Sequence, residues 1–228
     1  MADLKIYADR KSQPSRAILI FCKVNGIEFE EVNMDIFKGE HKSPEYEAIN
    51  PMKKVPAIAH GNFTLFESHA ILIYLACSYK VAEHWYPTDL RTRAKLHSVL
   101  DWHHTNLRAA SVGYLINTVI GPKLGLEHSP KGVAEMEQKL SASFSTIDTF
   151  WLKGDDDNVK FLLGTDQPTI ADLSLVCEIM ALHMVPEEDY NRLISPYKKV
   201  VQWIENVKKA TNPHFDEVHQ HLFEVIAS

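Results

Sequence analysis

The sequence predicts a mixed α/β fold in residues 1–80 and an all-helical fold in residues 90–228. In the first part, apolar residues switch between the alternation of a strand and the three-and-four spacing of a helix. After a polar and aromatic connector at residues 81–89, no segment has the pattern of a strand. We therefore predict two domains joined by a linker at residues 81–89.

The elements of the first part are predicted in the order β-α-β-α-β-β-α. Pro14 lies in the first turn of the first helix and Gly26 just beyond its end, as is usual for helix termini. His60-Gly61-Asn62 forms a short turn between the last two strands. Strands are predicted at residues 4–7, 29–34, 55–59 and 63–66, and helices at 14–25, 43–48 and 68–79. Strand-helix-strand followed by a hairpin is the thioredoxin-like order.

Breaks rich in glycine and proline divide residues 90–228 into six segments of helical length. They lie at residues 121–125, 154–158 and 164–168, and at Pro186, Pro196 and Pro213. Thr169-Ile-Ala-Asp172 predicts a capping box before a strongly apolar run. We therefore expect a central buried helix to begin at Thr169.

The composition excludes several classes of function. A net charge of -6 provides no basic surface for nucleic acid or an anionic membrane. The longest apolar run, residues 70–77, is far shorter than the roughly 20 residues of a membrane-spanning helix. The termini carry neither a secretory signal nor a peroxisomal address, so a cytoplasmic location is expected. Cys22, Cys77 and Cys177 form no C-x-x-C pair and are expected to be buried thiols.

Ser12-Gln13-Pro14-Ser15 lies between the first strand and the first helix. Redox proteins of this fold hold a C-x-x-C pair here, where the helix dipole and free amides favour a thiolate. A serine hydroxyl cannot exchange disulfides, so a sulfur site here needs a ligand thiol, to whose thiolate Ser12 would donate a hydrogen bond. The alternative is that Ser12 only caps the helix. Ser15 is interpreted as support for the helix start.

Two further segments offer groups to an extended ligand. A cis Val55-Pro56 peptide before a strand would leave the main chain of Val55 free for pairing. At the start of the next helix, Ser68 and the free amides suit a carboxylate, and Glu67 suits an ammonium group. Helix capping is the alternative for both residues.

His41 and Lys54 lie beside the same predicted strand ends, where they can meet a second carboxylate. A surface role is the alternative for each. Taken together, the candidate groups fit a thiolate, an extended main chain, two carboxylates and an ammonium group. Glutathione is an abundant metabolite that carries this set.

Other catalytic chemistries have weaker support. No G-x-S-x-G motif is present to support a nucleophilic serine. His103 and His104 are adjacent and point to different helix faces, and His214, His219 and His221 lack the spacing of H-E-x-x-H. We therefore expect no metal and no cofactor.

Five segments resemble the theta class of the glutathione transferases: SQPSRA at residue 12, INPMKKVPA at 49, FESHAILIYL at 66, HWYP at 84 and TIADLSL at 169. The resemblance extends over about residues 4–227. It implies the glutathione transferase fold, with a thioredoxin-like domain that binds glutathione and an all-helical domain that contributes the electrophile pocket. It also implies a homodimer.

By the same resemblance, Ser12 is the catalytic residue and Arg108 faces the electrophile pocket. Tyr7 lies earlier than the tyrosine that other classes use and is interpreted as structural. The glutathione-binding residues are then Gln13, His41, Lys42, Lys54, Val55, Pro56, Glu67 and Ser68.

The implied activity is attack by glutathione sulfur on small hydrophobic electrophiles, as in detoxification. A free thiol with a pKa of about 8.5 is a few per cent thiolate at neutral pH, and a hydrogen-bond donor raises that fraction. Halides, epoxides and isothiocyanates are the expected electrophiles, and reduction of organic hydroperoxides is a related peroxidase activity. The alternatives are a non-catalytic carrier of hydrophobic ligands and a transferase-like assembly module.

Overall fold

A four-stranded mixed sheet forms the N-terminal part of the protein. The structure is a computed structural model that describes residues 3–127, 129–153 and 159–227. The strands are β1 (Leu4–Ala8), β2 (Glu30–Asn33), β3 (Ala57–His60) and β4 (Phe63–Phe66). Their order is β2-β1-β3-β4, with β1 parallel to β2 and the other two pairs antiparallel. This is the thioredoxin-like arrangement that the element order predicts.

Three helices accompany the sheet: α1 (Gln13–Val24), α2 (Pro44–Glu47) and α3 (Ser68–Ser78). α1 is the most buried of these, with Ser15 to Cys22 all inaccessible. It contacts α3 and also two helices of the C-terminal part, α8 (Ile170–Met180) and α11 (His214–Ala227). The start of α1 is therefore fixed from both parts of the chain.

Helices continue to the end of the described chain, and no described residue after Phe66 lies in a strand. Two π-helical turns, at Ile116–Ile120 and Ile147–Trp151, extend the helices that precede them. The remaining helices are α4 (Leu90–Thr105), α5 (Leu107–Leu115), α6 (Gly121–Lys123), α7 (Pro130–Thr146), α9 (Glu187–Ile194) and α10 (Lys198–Thr211). The predicted break at residues 154–158 lies outside the described residues.

Three predicted features differ from the structure. The third strand begins at Ala57 rather than at residue 55, because Pro56 has no N–H to donate to a ladder. The first helical segment is divided at Asn106, whose φ of -114° and ψ of -85° are not helical and whose Nδ2 donates to the carbonyl of Trp102 at 2.9 Å. Cys77 is exposed near the end of α3, whereas Cys22 and Cys177 are buried as expected.

α8 begins with the predicted capping box and forms the centre of the helical part. The Oγ1 of Thr169 accepts from the amide of Ala171 at 3.2 Å, and the Oδ2 of Asp172 accepts from the amide of Thr169 at 2.8 Å. The Oδ1 of Asp172 accepts from the amide of Leu162 and from Nε1 of Trp203, both at 2.8 Å. One buried carboxylate thus joins α8 to the preceding loop and to α10.

No helix among the described residues is both long enough and apolar enough to cross a membrane. This agrees with the short apolar runs of the sequence.

We predict that Asp172→Asn lowers the free energy of unfolding by roughly 2–4 kcal/mol, because an amide NH₂ would face donors that the carboxylate oxygen now satisfies. Urea denaturation monitored by far-UV circular dichroism measures this change. The matched control is Asp166→Asn, at an exposed aspartate in the loop before α8. Equal stability of the two variants would contradict the structural role of Asp172.

Candidate active site

A cavity of about 280 Å³ lies between the sheet-containing part and the helical part. Its lining includes six residues predicted from the sequence, which we call the polar side: Ser12, Gln13, His41, Lys54, Val55 and Arg108. The rest of the lining is mainly apolar, and we call the apolar side Ile36, Phe37, Val112, Leu115, Met184 and Leu222. The cavity therefore combines groups for a charged ligand with a surface for a hydrophobic one.

Four predicted site residues do not line this cavity. Lys42 is exposed on a 3₁₀ turn, and Pro56 is buried at the start of the β3–β4 hairpin. Glu67 and Ser68 directly follow the last residue of β4, Phe66. Because Ala57 pairs with Phe66, continuation of the register places Glu67 and Ser68 beside the Val55-Pro56 peptide. These two residues thus extend the polar side beyond the cavity.

Ser12 is at the N-terminal end of α1 with the extended backbone of a helix cap, but its hydroxyl makes no capping hydrogen bond. Its amide donates to the carbonyl of Asp9 at 2.9 Å. The side chain lines the cavity while the residue is only 8% exposed. Ser12 therefore occupies the N-cap position, but its hydroxyl does not cap the helix and is free to meet a ligand in the cavity.

Ser15, unlike Ser12, has no access to the cavity. It is fully buried within α1, it does not line the cavity, and its Oγ has no hydrogen-bond partner among the described residues. It gives no hydrogen-bond support to the helix start, contrary to the interpretation made from the sequence.

Arg16 holds the loop that carries Ser12. Its fully buried guanidinium donates to the carbonyls of Arg10 at 3.0 Å and Lys11 at 2.9 Å, and to the carbonyl of Cys177 on α8 at 3.0 Å. Burial lowers the pKa of Arg16 from its ordinary value. The hydrogen bonds to the three carbonyls offset part of the free-energy cost of removing this charge from water. They also connect the Ser12 loop to α8.

Asp9 fixes the other side of the same loop. Its carboxylate accepts from the amide of Lys11 at 2.8 Å and from the amide of Ile36 at 3.1 Å. Ile36 belongs to the apolar side of the cavity. Asp9 thus joins the Ser12 loop to the segment that carries Ile36.

The Val55-Pro56 peptide is cis, as predicted. Its position is set by Lys54, whose carbonyl accepts from the Oη of Tyr46 at 2.6 Å and from Nδ2 of Asn50 at 2.7 Å. Burial raises the pKa of Tyr46 to about 12, so its phenol stays protonated and remains a donor. Val55 precedes the strand ladder, which leaves its main chain at the edge of the cavity.

The first turn of α3 is arranged to receive an anion. Ser68 is its first helical residue, and Glu67 is the cap residue with a φ of 71°, a conformation that costs energy for a residue with a side chain. The side chain of Glu67 does not cap the helix. The amides of the first turn therefore keep the free donors that suit a carboxylate.

The polar side of the cavity carries an excess of cationic groups. Lys53 and Lys11 also line it, although the sequence analysis did not single them out. Lys53 pairs with Glu47 at 2.9 Å and Lys11 pairs with Asp35 at 3.7 Å. Lys54, by contrast, has no carboxylate partner among the described residues, and Nδ1 of His41 is buried without a hydrogen-bond partner there. These two groups remain available to an anionic ligand.

Arg108 lies on α5 and is held in place by Glu178, a fully buried residue of α8. Nη1 of Arg108 donates to Oε2 of Glu178 at 2.7 Å, and the Ser111 hydroxyl donates to Oε1. Burial by itself would raise the pKa of Glu178, but the neighbouring side chains of His103 and Arg108 lower it to about 2. Glu178 is therefore ionised at neutral pH, and the guanidinium is oriented rather than mobile.

Sequence reasoning did not find Glu178, because it lies inside the apolar run of α8, where an acid is unexpected. That contrast with its surroundings is the signal in the sequence that would have indicated it.

Comparison with known proteins adds independent support. The model of the glutathione S-transferase N-terminal domain matches residues 2–77. Glutathione S-transferase T1 of Arabidopsis thaliana is 62% identical over 226 residues, which are 99% of this chain and 91% of that protein.

Solved structures agree with this relationship. Human glutathione S-transferase T1-1 in its apo form superposes with a TM-score of 0.87 at 33% identity, over 99% of this chain and 91% of that one. A human theta-class transferase in complex with the glutathione conjugate of 1-menaphthyl sulfate superposes with a TM-score of 0.88 at 32% identity, over 98% and 88% of the two chains. The fold, the enzyme class and the relationship inferred from the sequence are thereby confirmed: this chain belongs to the theta class of the glutathione transferases.

Proposed function

We propose that this transferase activates the thiol of glutathione through a hydrogen bond from the hydroxyl of Ser12. The observation that carries the proposal is that this hydroxyl stands at a helix start, lines the cavity and makes no capping hydrogen bond. The N-terminal end of α1 adds the positive end of the helix dipole, which favours an anion. Both effects stabilise a thiolate over a thiol.

Glutathione is proposed to lie along the polar side of the cavity. Its cysteinyl part pairs with the main chain of Val55, and its glycyl carboxylate meets Lys54 and His41. Its γ-glutamyl carboxylate is received by the first turn of α3 at Ser68, and its ammonium group by Glu67. Gln13, which lines the cavity, Pro56, which holds the turn, and Lys42, which is exposed nearby, complete the proposed binding set.

The reaction proceeds by nucleophilic attack of the sulfur. Lowering the thiol pKa by one to two units from about 8.5 increases the thiolate fraction at neutral pH roughly tenfold or more. With a halide, the S–C bond forms as the C–halogen bond breaks and the halide ion leaves. With an epoxide, the S–C bond forms as a ring C–O bond breaks, and the oxygen takes a proton from water. With an isothiocyanate, the sulfur adds to the central carbon and the nitrogen takes a proton from water. The apolar side of the cavity accommodates the hydrophobic part of these electrophiles.

Reduction of organic hydroperoxides is proposed as a second activity of the same thiolate. The sulfur attacks the terminal oxygen, the O–O bond breaks and an alcohol leaves. A second glutathione then displaces water from the oxidised sulfur and gives glutathione disulfide.

We also propose the division into domains at residues 1–80 and 90–228 with a linker at 81–89, and a homodimer. The cytoplasmic location stays a prediction from the sequence.

We expect Ser12→Ala to retain glutathione binding and to lose most of its turnover, because the thiol of the bound glutathione loses its donor. The rate of conjugation should then rise with pH toward the pKa of the free thiol. Steady-state kinetics over a series of pH values, together with calorimetric titration of glutathione, measure the two effects. Ser15→Ala is the matched control on the same helix and should behave as the unmodified protein; unchanged turnover of Ser12→Ala would remove Ser12 from its assigned role.

Lys54→Met should raise the KM for glutathione several-fold, with a much smaller change in kcat, because Lys54 is proposed to bind a carboxylate that does not react. Lys38→Met, at an exposed lysine outside the cavity, is the control for loss of a surface charge. A selective fall in kcat with an unchanged KM would show that Lys54 acts on the reaction rather than on binding.

Turnover of an alkyl halide and of cumene hydroperoxide, measured side by side with glutathione, should be detected for both substrates and should fall together in Ser12→Ala. Glutathione binding without turnover of either substrate would favour the carrier or assembly function over catalysis. Loss of only one activity in the variant would mean that the two reactions do not share the thiolate.

A further inference from the structure

Three histidines from two distant segments of the chain lie close together at the start of α3. His69 is the second residue of α3, and His103 and His104 lie in the last turn of α4. One ring nitrogen from each lies within 4.8 Å of those of the other two. Although His103 and His104 are adjacent on one helix, the ring of His69 is close to both, with centroids 5.3 Å and 4.4 Å away.

We propose that His69, His103 and His104 form a binding site for a divalent transition-metal ion of the zinc type. The site is distinct from the glutathione chemistry and does not depend on it. This proposal differs from the expectation of no metal. That expectation was based on the spacing of histidines along the chain and did not include His69.

The distance between two of the ligands already suits such an ion. Nε2 of His69 and Nδ1 of His103 are 3.2 Å apart and share a hydrogen bond in the structure, which an ion would replace. Two nitrogens that each lie about 2.0–2.1 Å from a tetrahedral zinc ion are separated by about 3.3 Å. His104 is exposed, so its ring can rotate to complete the set. The site is empty in this structure, and three imidazoles leave one coordination position for water or another ligand.

The carboxylate of Glu178 favours the tautomer of His103 that can bind a metal ion through Nδ1. Nε2 of His103 lies 3.6 Å from Oε2 of Glu178, just beyond hydrogen-bond distance, and has no hydrogen-bond partner among the described residues. Metal-binding histidines commonly direct their second nitrogen to a carboxylate, which fixes the tautomer and increases ligand basicity. With its proton on Nε2, His103 presents a lone pair on Nδ1. His69 then needs only to carry its own proton on Nδ1 to present Nε2, so binding releases no proton from this pair.

The positive charge of Arg108 would repel a metal ion at this site, but the guanidinium is paired with the carboxylate of Glu178. Glu67 and Asp101 place negative charge near His104. Three carboxylates thus surround the cluster against one guanidinium. An ion at this position would connect α3 to α4 directly beside Ser68.

The test uses the tag-free, full-length chain after treatment with a chelator, in buffer without glutathione, because the thiol of glutathione itself binds metals. Titration with Co²⁺ followed by visible absorption, and then displacement by Zn²⁺, should show one ion per chain with the d–d bands of a low-coordinate nitrogen site. His104→Asn should lower the affinity roughly tenfold or more. His97→Asn, on the same helix but outside the cluster, should leave it unchanged.

His69→Asn provides a second variant, with circular dichroism used to establish that it is folded. If it does not fold, His104→Asn decides the question, since His104 is exposed. The proposal is overturned by the absence of saturable binding, by equal affinity of His104→Asn and the unmodified chain, or by an equal loss of affinity in His97→Asn. Because binding is measured directly, these results are independent of catalytic activity.

Discussion

The buried guanidinium of Arg16 is the interaction on which the geometry of the active site depends. It crosses from α1 to α8 and binds main-chain carbonyls on both sides, including two in the loop that immediately precedes Ser12. A buried charge is costly unless its donors are satisfied, so this contact is maintained only when both parts of the chain are in their correct positions. The position of Ser12, the proposed thiolate donor, is therefore a property of the whole fold.

α8 also carries two buried carboxylates, which have different structural roles. Asp172 faces the loop before α8 and α10 and satisfies main-chain and indole donors, so its effect is on stability. Glu178, less than two turns along the same helix, faces α4 and α5 and orients Arg108 toward the cavity. Placing both acids on one inaccessible helix gives the pocket side chains a rigid support, as precise ligand positioning requires.

Features encoded by neighbouring residues were predicted well from the sequence. The order of the elements along residues 1–80, the cis Val55-Pro56 peptide and the capping box at Thr169 each follow from short local patterns. The free state of the Ser12 hydroxyl was not predictable, because an N-terminal serine has the same pattern whether or not it caps.

Features that depend on distant contacts were not predicted. The pairing of Glu178 with Arg108 joins residues 70 positions apart, and the approach of His69 to His103 joins residues 34 positions apart. The division of the first long helix at Asn106 was missed as well, because neither glycine nor proline marks it. It is nevertheless important, since it places Arg108 on a helix separate from the one that carries His103.

The uncapped start of α1 has a consequence for how this position can change over generations. A serine that caps a helix contributes about 1 kcal/mol to stability, which is lost when it becomes alanine. Ser12 makes no such bond, so its replacement leaves the fold almost untouched. Chaperones and proteases, which recognise unfolded chains, would not remove the substituted protein. With Ser12 in its proposed role, an organism would therefore retain abundant, well-folded protein without the activity, and only selection on the chemistry itself preserves the serine.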